Sequence, residues 1–421
     1  MASRRCESLA TSVRYVLNRL ESSVSRVIVI GAGLGGLCLA QGLRRSGIDV
    51  AVYERDTSLT ARAQGHRLHI DARGRRALKK TLPPRLFSLI AAVAGRPAPR
   101  VSGFDELLRP TGVFALDDAA LDGDTMPAHT VIDRELLRRI LFTGLDQVVQ
   151  FGRRCVGYEY DGAAVVARFA DGGIAEGTVL VGADGVGSVI RAQRLPHARV
   201  VDSGIRLIYG RVPLTGEMRR ALPSAMSAVF NSVVGPDHRF VGIAPVEYRE
   251  PPRTAAARLA PEVALEPVGD SLAALFGRRL DRLGCSDRDL RAASGAELRQ
   301  LVLGQLAGWH PFVRSLIERW SDATIYPIAV RQAVPIAPWP TSNVTVLGDA
   351  IHAMSPAAGA GANIALRDAA ELAAALTEAA GGRELSCALG DYERAMVVEG
   401  FDAVRLSAAN GTRTLGADPL A

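Results

Sequence analysis

Three glycines near the start of the chain have the spacing of a phosphate-binding turn: Gly31, Gly33 and Gly36. They follow the apolar run Val27–Ile30, and such glycines permit a tight turn, backbone approach to a pyrophosphate and close packing of the next helix. Glu54 ends the following apolar segment, where a carboxylate can accept hydrogen bonds from a ribose diol. The pattern predicts a dinucleotide site without separating NAD from FAD. Glu54 disfavours a bound 2′-phosphate, although the adjacent Arg55 weakens that argument.

Two later segments also place carboxylates after predicted strands. Asp184 lies in residues 182–191, after a meander whose Asp-Gly turns indicate hairpins. Asp349 ends a buried strand, where it can bind a polyol hydroxyl, and Pro356 precedes a small-residue loop that opens a helix. Free backbone amides at that helix start would stabilise negative charge on a bound group. Taken alone, Asp184 could be a helix cap and the loop a glycine-rich hinge.

Together these segments resemble the class A, single-component FAD-dependent monooxygenases of the para-hydroxybenzoate hydroxylase fold. The resemblance spans residues 26–395 and includes Asp133-Arg134, similar to the family's arginine-bearing helix start; Ile351 replaces the family's usual alanine. It implies that FAD is bound by Gly31, Gly33, Gly36, Glu54, Arg55, Arg134, Asp184, Asp349, Pro356, Gly359, Gly361, Ala362 and Asn363.

The resemblance also implies a reaction. NADPH or NADH would bind transiently, since no second glycine fingerprint follows a strand, and would reduce FAD. Reaction with O2 would give a C4a-hydroperoxyflavin that hydroxylates or epoxidises an electron-rich small molecule, aromatic or unsaturated, of secondary metabolism. Arg331 and His352 are candidate catalytic residues, although His352 also suits a structural role and Arg331 a solvent-exposed one. The sequence identifies no catalytic base.

The expected fold is α/β, with a Rossmann-like FAD-binding domain that has a parallel sheet and a crossover meander. This domain is assigned to residues 26–75, 100–195 and 341–374. A substrate domain with a mainly antiparallel sheet is assigned to 76–99 and 196–340, and a C-terminal helical segment to 375–421, with Asn410-Gly411 as its stop. Within the substrate domain, Leu272, Leu275 and Phe276 predict a helical start to the segment 265–320.

Four residues are candidates for the substrate pocket: Tyr209, Phe230, Phe240 and His69. The three aromatic residues also suit plain core positions. His69 follows His66 and Arg67, where the family brings the chain near the flavin. These three could position a substrate anion or the nicotinamide, or simply belong to a solvated loop.

Composition excludes several classes of protein. The chain has 421 residues, 48% hydrophobic and 22% charged, as in a soluble globular protein rather than a disordered or disulfide-scaffold one. Its net charge of +6 gives weak support for a nucleic-acid partner, and no apolar run is long enough for a membrane span. The five scattered cysteines indicate a reduced, cytoplasmic protein without a metal site. Residues 1–25 form a leader, either a short surface helix or disordered segment or, less in keeping with its acids, a transit peptide. No oligomeric state is specified.

Four alternatives remain open at this level. Flavin-dependent halogenases and reductases use the same scaffold, although Trp309, Trp320 and Trp339 are too far apart for the tryptophan-halogenase motif. A non-catalytic FAD-binding protein and a nicotinamide-dependent dehydrogenase are the others. Oxygen consumption coupled to NAD(P)H oxidation and the presence of bound flavin would separate them from a monooxygenase.

Overall fold

The computed structural model describes residues 24–61, 67–116 and 126–420. Its strands are β1 (Val27–Ile30), β2 (Val50–Tyr53), β3 (Arg67–Ile70), β4 (Ala98–Phe104), β5 (Pro110–Ala115), β6 (Thr130–Asp133), β7 (Val149–Gln150), β8 (Cys155–Asp161), β9 (Ala164–Phe169), β10 (Ile174–Gly177), β11 (Val179–Gly182), β12 (Val200–Pro213), β13 (Ala228–Val234), β14 (Phe240–Val246), β15 (Ser271–Arg279), β16 (Tyr326–Ala333) and β17 (Val344–Val346).

The α-helices are α1 (Leu34–Arg45), α2 (Ala72–Thr81), α3 (Pro84–Val93), α4 (Arg134–Phe142), α5 (Val189–Arg194), α6 (Gly216–Ala221), α7 (Pro252–Leu259), α8 (Asp287–Ala292), α9 (Gly295–Gln305), α10 (Pro311–Glu318), α11 (Asp349–His352), α12 (Gly361–Ala380) and α13 (Leu385–Leu415). Short 3-10 turns lie at Ser224–Met226, Pro236–His238, Leu280–Arg282, Asp322–Thr324 and Pro356–Ala358.

A five-stranded parallel sheet in the order β17-β11-β1-β2-β7 forms the centre of the first domain. Every residue of β1, β2, β11 and β17 is buried, as expected for strands with helices or other chain on both faces. Because the strands are parallel, their carboxyl ends lie along one edge of the sheet. The glycine turn, Glu54, Asp184 and Asp349 all follow these ends. The predicted α/β fold with a Rossmann-like domain is confirmed.

The predicted meander is the three-stranded antiparallel sheet β10-β9-β8, which delivers the chain into β11. A second small sheet pairs β3 with β6 in antiparallel fashion, so that His69 lies opposite Val131 and Arg67 opposite Asp133. This pair of strands carries the candidate His69 on β3. Its other strand, β6, leads directly into α4, which begins at the candidate Arg134.

The second domain is built on a seven-stranded sheet in the order β16-β12-β15-β14-β13-β4-β5. Its pairings are antiparallel except for β13 with β4, which are parallel. One face is covered by α6 and α8–α10 over an apolar cluster that includes Trp309 and Trp320. The other face carries Ile205, Leu207 and Phe240, which pack with Leu415 of α13.

The structure differs from the predicted division at two segments. Residues 98–104 and 110–115 belong to the seven-stranded sheet, whereas the sequence analysis places residues from 100 onward in the FAD-binding domain. Conversely, the second part of α2 and all of α3 lie within the prediction for the substrate domain at 76–99, but Leu78, Leu86 and Leu89 pack in the core of the first domain. These helices face that core because α2 lies against α12 and α1.

Two local predictions are wrong. Residues 271–279 form the strand β15 and not a helix, because they pair with β12 on one side and β14 on the other, with Leu272, Ala274 and Phe276 alternating inward. The last helix does not stop at Asn410-Gly411. It continues to Leu415, and the left-handed Gly416 ends it.

The predicted leader is described only at its end, and residues 1–23 lie outside the described part of the chain, as does His66. Val24 is buried in the first core, and the backbone N–H of Ser25 donates to Thr178 Oγ1 at 3.0 Å. Of the helices that the structure describes, none combines the length and apolar character needed to cross a membrane.

Candidate functional site

The glycine turn after β1 leaves room for a ligand at one glycine and none at the other two. Gly31 has φ of +111°, and a Cβ there would lie 2.3 Å from the carbonyl oxygen of Ala183. A Cβ on Gly36 would lie 2.0 Å from the Gly31 oxygen. At Gly33, by contrast, a Cβ would have no atom within 4 Å, and no side chain caps α1 there. The open N-terminus of α1 therefore fits a pyrophosphate, whose charge it would stabilise.

Glu54 is buried and already anchored. Its Oε2 accepts a hydrogen bond from the backbone N–H of Ala32 at 2.9 Å, and its Oε1 accepts one from Asp56 at 3.0 Å. Arg138 of α4 lies 3.8 Å from the same carboxylate and donates from Nε to the Ala32 oxygen at 2.9 Å. This arginine ties the glycine turn to Glu54. Its position in the middle of an amphipathic helix gives no sequence signal for this role.

Asp184 follows β11 beside the glycine turn. Its Oδ2 accepts a hydrogen bond from the Val189 N–H at 2.8 Å, at the first residue of α5, while Ser188 is the residue that caps this helix. Its Oδ1 is buried with no hydrogen-bond partner, and burial raises the pKa of the carboxyl group. An unsatisfied carboxylate oxygen at this edge of the sheet suits a ligand that donates a hydrogen bond. Arg191 joins this segment to the next by donating to the Ala350 oxygen at 2.8 Å.

The loop after β17 presents an exposed carboxylate and an uncapped helix start. Asp349 is exposed, and its Oδ1 lies 4.0 Å from the point that a Cβ on Gly361 would occupy. The helix α12 is 20 residues long and has no side-chain cap at its N-terminus. Gly359 and Pro356 are exposed in the same loop. The arrangement leaves backbone N–H groups available to an anion or a carbonyl oxygen.

Asn363 is fully buried and fixes this loop to the β3–α2 connection. Its Nδ2 donates to the His69 carbonyl oxygen at 2.9 Å, and its Oδ1 accepts from Asp71 at 3.0 Å. The space is so close that a Cβ on Gly74 would lie 2.2 Å from Oδ1. Asn363 therefore positions backbone rather than presenting its amide to a ligand.

His352 is also buried, and it pairs with Asp368 of α12. The Nε2–Oδ2 distance is 2.5 Å, and the same Oδ2 accepts from the Gly348 N–H at 3.1 Å. Burial alone would lower the pKa of His352, but the Asp368 carboxylate outweighs it and raises that pKa. The pair holds the turn after β17 against α12, which corresponds to the structural alternative for this histidine.

The structure brings His69 together with a residue that the sequence analysis did not select. His69 Nε2 and His129 Nδ1 are 2.8 Å apart, and the two rings are stacked at 5.0 Å. Burial, with help from the nearby Arg67, lowers the pKa of His69 to about 3, so its imidazole is neutral. His69 Nδ1 lies 3.8 Å from the point that a Cβ on Gly359 would occupy. The histidine pair thus borders the loop before α12.

Aromatic rings line the sheet face that turns toward this edge. Tyr209 stacks on Tyr326 with centroids 5.6 Å apart, and Phe230 stacks on Phe240 at 6.3 Å. The positive charge of Arg134 acts on Tyr209, whose pKa burial raises to about 12. The three aromatic candidates Tyr209, Phe230 and Phe240 therefore share one face of this sheet, and Tyr209 lies next to the start of α4.

Two charged residues link the sheet face to the first domain. Arg211 of β12 forms an ion pair with Asp133, which also caps α4 by accepting from Leu136 at 2.9 Å. Arg134 Nε is buried without a hydrogen-bond partner. This buried guanidinium nitrogen lies at the start of α4, near Tyr209, and has no partner. It therefore fits a phosphate or a hydroxyl-bearing ligand.

One catalytic candidate lies elsewhere. Arg331 is exposed, and its charge acts on Asp287 of α8, on the helix-covered side of the seven-stranded sheet. The structure does not bring it to the aromatic face. Arg55 is exposed beside Glu54. Over the ranges that the structure describes, no three His, Cys, Asp or Glu side chains are grouped to hold a metal ion.

Comparisons with known proteins match both halves of this site. The family model described as an FAD binding domain matches residues 316–400, and one described as an NAD(P)-binding Rossmann-like domain matches residues 29–90. A curated relative, the dual O-methyltransferase/FAD-dependent monooxygenase elcB of Phaeosphaeria nodorum, is 34% identical over 85% of this chain. The chain spans less than half the length of the first curated relatives that it matches, from 41% to 44%.

Solved structures match along nearly the whole chain. A crystal structure from Photorhabdus luminescens, assigned as an FAD-containing monooxygenase, is 30% identical with a TM-score of 0.77 and covers 92% of this chain and 98% of its own. HpxO of Klebsiella pneumoniae, complexed with FAD and uric acid, is 25% identical with a TM-score of 0.74 and covers 93% of this chain and 89% of its own.

Proposed function

Because the chain belongs to the class A family of FAD-dependent monooxygenases, we propose that it uses NAD(P)H and O2 to oxygenate an electron-rich small molecule. The reaction is a hydroxylation or an epoxidation of an aromatic or unsaturated compound, of the kind found in secondary metabolism. The unpaired state of the cysteines in the described residues supports a reducing, cytoplasmic location for the enzyme.

One observation carries this proposal. The strand ends that bear Glu54, Asp184 and Asp349 lie along one edge of the parallel sheet, and β3 joins the loop after Asp349 to the aromatic face. Asn363 donates to the His69 carbonyl, Arg67 donates to the carbonyl of Val229 next to Phe230, and the Arg211–Asp133 ion pair also connects the two domains. A cofactor held at the strand ends would therefore lie next to a pocket suited to a flat, apolar substrate. A dehydrogenase that lacked flavin would have no use for the Asp349 loop.

Different residues of the chain bind the cofactor, stabilise its charge and orient the substrate. FAD, when bound, supplies the electron transfer from NAD(P)H and the activation of oxygen. The uncapped start of α1 at Gly33 binds the pyrophosphate, and Glu54 and Asp349 accept hydrogen bonds from sugar and ribityl hydroxyls. The uncapped start of α12 stabilises negative charge on the ring system. The stacked Tyr209 and Phe230 faces exclude water from the opening and orient the substrate.

The test begins with the visible absorption spectrum of the purified protein, before and after FAD is added and excess is removed. We expect retained oxidised-flavin bands, and O2 uptake coupled to NAD(P)H oxidation that rises when an accepted aromatic substrate is added. Asp349→Ala should lose most of the flavin on desalting. Asp402→Ala, an exposed aspartate of α13 paired with Arg405, is the matched control and should keep it.

Folded protein that retains no flavin would overturn the proposal and favour the dehydrogenase alternative. Flavin without substrate-dependent O2 uptake across a broad panel would favour a reductase or a non-catalytic role.

A further inference from the structure

Arg67 is a half-buried cation whose charge no carboxylate among the described residues neutralises. Its Nη2 donates to the carbonyl oxygen of Val229 in β13, which carries the side chain across from β3 to the seven-stranded sheet. Its Nε is buried and has no hydrogen-bond partner. Burial lowers the pKa of this guanidinium to about 9. Burying a charge without a counter-ion is unfavourable, so the position calls for an anion that the described part of the chain does not provide.

The nearest carboxylates are already in use. Asp133 is opposite Arg67 in the β3–β6 pairing, but Arg211 holds one of its oxygens and Leu136 N–H binds the other. Asp71, farther along the same segment, is bound by Arg73, with Nη2 2.6 Å from Oδ2, and caps α2. Among the residues that the structure describes, no carboxylate pairs with Arg67.

The neighbouring His69 does not add a second charge. His69 points from the same face of β3 as Arg67, and its pKa of about 3 keeps it neutral at physiological pH. It can therefore act only as a neutral hydrogen-bonding group with His129. Arg67 is left as the one charge on this stretch of β3 that faces the opening.

The place of Arg67 is that of a substrate and not of the cofactor's pyrophosphate. Val229, its hydrogen-bond partner, is next to Phe230 in the aromatic face, and His69 borders Gly359 in the loop before α12. The pyrophosphate cradle at Gly33 lies at the start of another element, α1. A molecule bound between the aromatic rings and the Gly359 loop would meet the guanidinium at its edge.

We propose that Arg67 binds an anionic oxygen of the substrate, so that the cleft selects aromatic molecules that carry a carboxylate or another oxyanion. The inference rests on the proposed function for the identity of the cleft and adds the charge of the substrate. The planar guanidinium can bind such a group with two parallel N–H donors.

The test measures binding to the oxidised holoprotein by titration calorimetry, without NAD(P)H. The probes are 2-naphthoate and 2-naphthamide, which have nearly the same shape but differ in charge. We expect native protein to bind 2-naphthoate at least about tenfold more tightly than 2-naphthamide, which is a difference of about 1.4 kcal/mol in binding free energy. Arg67→Met should abolish this preference and leave 2-naphthamide binding unchanged, and Arg67→Lys should keep part of it.

Arg239→Met is the matched control, because Arg239 is also half-buried and donates to a backbone carbonyl, that of Gln305 at 2.9 Å, away from the cleft. It should bind both probes as the native protein does. Flavin content and the thermal midpoint of each variant show that it is folded. If Arg67→Met does not fold, Arg67→Lys and the native comparison still decide the question.

Three results would overturn the inference. One is equal affinity, or none, of native protein for the two probes, and another is an Arg67→Met variant that keeps its preference for the anion. The third is a variant with unchanged 2-naphthoate affinity but a raised KM for NADPH, which would assign Arg67 to the nicotinamide cofactor. Because the binding assay needs no turnover, a failure of the oxygenase proposal would show separately, as flavin-bound protein that binds 2-naphthoate but consumes no O2.

Discussion

Asn363 donates a hydrogen bond from Nδ2 to the backbone carbonyl of His69, 294 positions earlier in the chain, at 2.9 Å. The bond connects the start of α12, where the ring system of a cofactor would lie, to the strand that carries Arg67 and His69. The loop proposed to contact the cofactor and the strand proposed to contact the substrate are therefore held as one unit. A substitution at the start of α12 or in β3 should therefore affect both of these segments.

Replacing Asn363 with alanine should disconnect that unit. The variant removes the Asn363 bonds to the half-buried Asp71 N–H and His69 carbonyl, which costs about 2–4 kcal/mol of unfolding free energy and weakens FAD retention. Urea unfolding and flavin release on dilution measure the two effects. Asn343→Ala is the control, since Asn343 also donates to two carbonyls but lies away from the site. It should lose stability without losing flavin, and equal flavin loss in both variants would refute the link.

Two glycine substitutions should separate folding from cofactor binding. Gly36→Ala places a methyl group 2.0 Å from the Gly31 oxygen, so the apoprotein itself should be destabilised by at least about 2 kcal/mol. Gly33→Ala meets no atom within 4 Å, so the apoprotein should keep its thermal midpoint while FAD binds at least about tenfold more weakly. Thermal unfolding of apoprotein and FAD titration distinguish these outcomes. A Gly33→Ala variant with native FAD affinity would place the pyrophosphate elsewhere.

Replacing Arg138 should reduce stability and FAD binding more than replacing its neighbour Arg139 does. Arg138→Met leaves the buried Glu54 without its cation and frees two backbone carbonyls, so we expect a loss of about 2–4 kcal/mol and weaker FAD binding. Arg139→Met removes only a surface pair with Glu135 and should cost no more than about 0.5 kcal/mol. Denaturant midpoints and FAD dissociation constants provide the comparison. Similar losses in the two variants would contradict the role given to Arg138.

The His352–Asp368 pair should make stability depend on pH. The pKa of His352 is raised in the folded protein above its unfolded value of about 6.5, so its stabilising effect is full below that value. The effect is lost as the pH rises through the folded pKa. The difference in unfolding free energy between native protein and His352→Gln should therefore be largest at about pH 6 and smaller at about pH 9. A difference that grows with pH would contradict the raised pKa and would mean that His352 is neutral in the folded protein.

Much of the cofactor cradle could be predicted because its signals are local. Gly31, Glu54 and Asp349 each follow a short apolar run, and such a run is typical of a buried parallel strand. The order of the runs then places their ends along one edge of the sheet. The roles of these residues toward FAD stay predictions.

The substrate side could not be predicted in the same way because its contacts are distant in sequence. His129 meets His69 only through the pairing of β3 with β6, and nothing near either residue indicates it. Leu272, Leu275 and Phe276 suit one face of a helix by spacing, but pairing with β12 and β14 makes the segment a strand. In such sheets the partners decide the conformation, and local propensity yields to them.

The parallel pairing of β4 with β13 has a consequence for how the molecule is made. During synthesis from the N-terminus, residues 98–104 emerge long before 228–234, and β11 waits until residues 344–346 emerge to pair with β17. Neither domain can close its sheet as an independent early product. Each sheet is therefore completed only after its later strand has been synthesised, and slow synthesis or truncation in that interval leaves strand edges open to wrong partners.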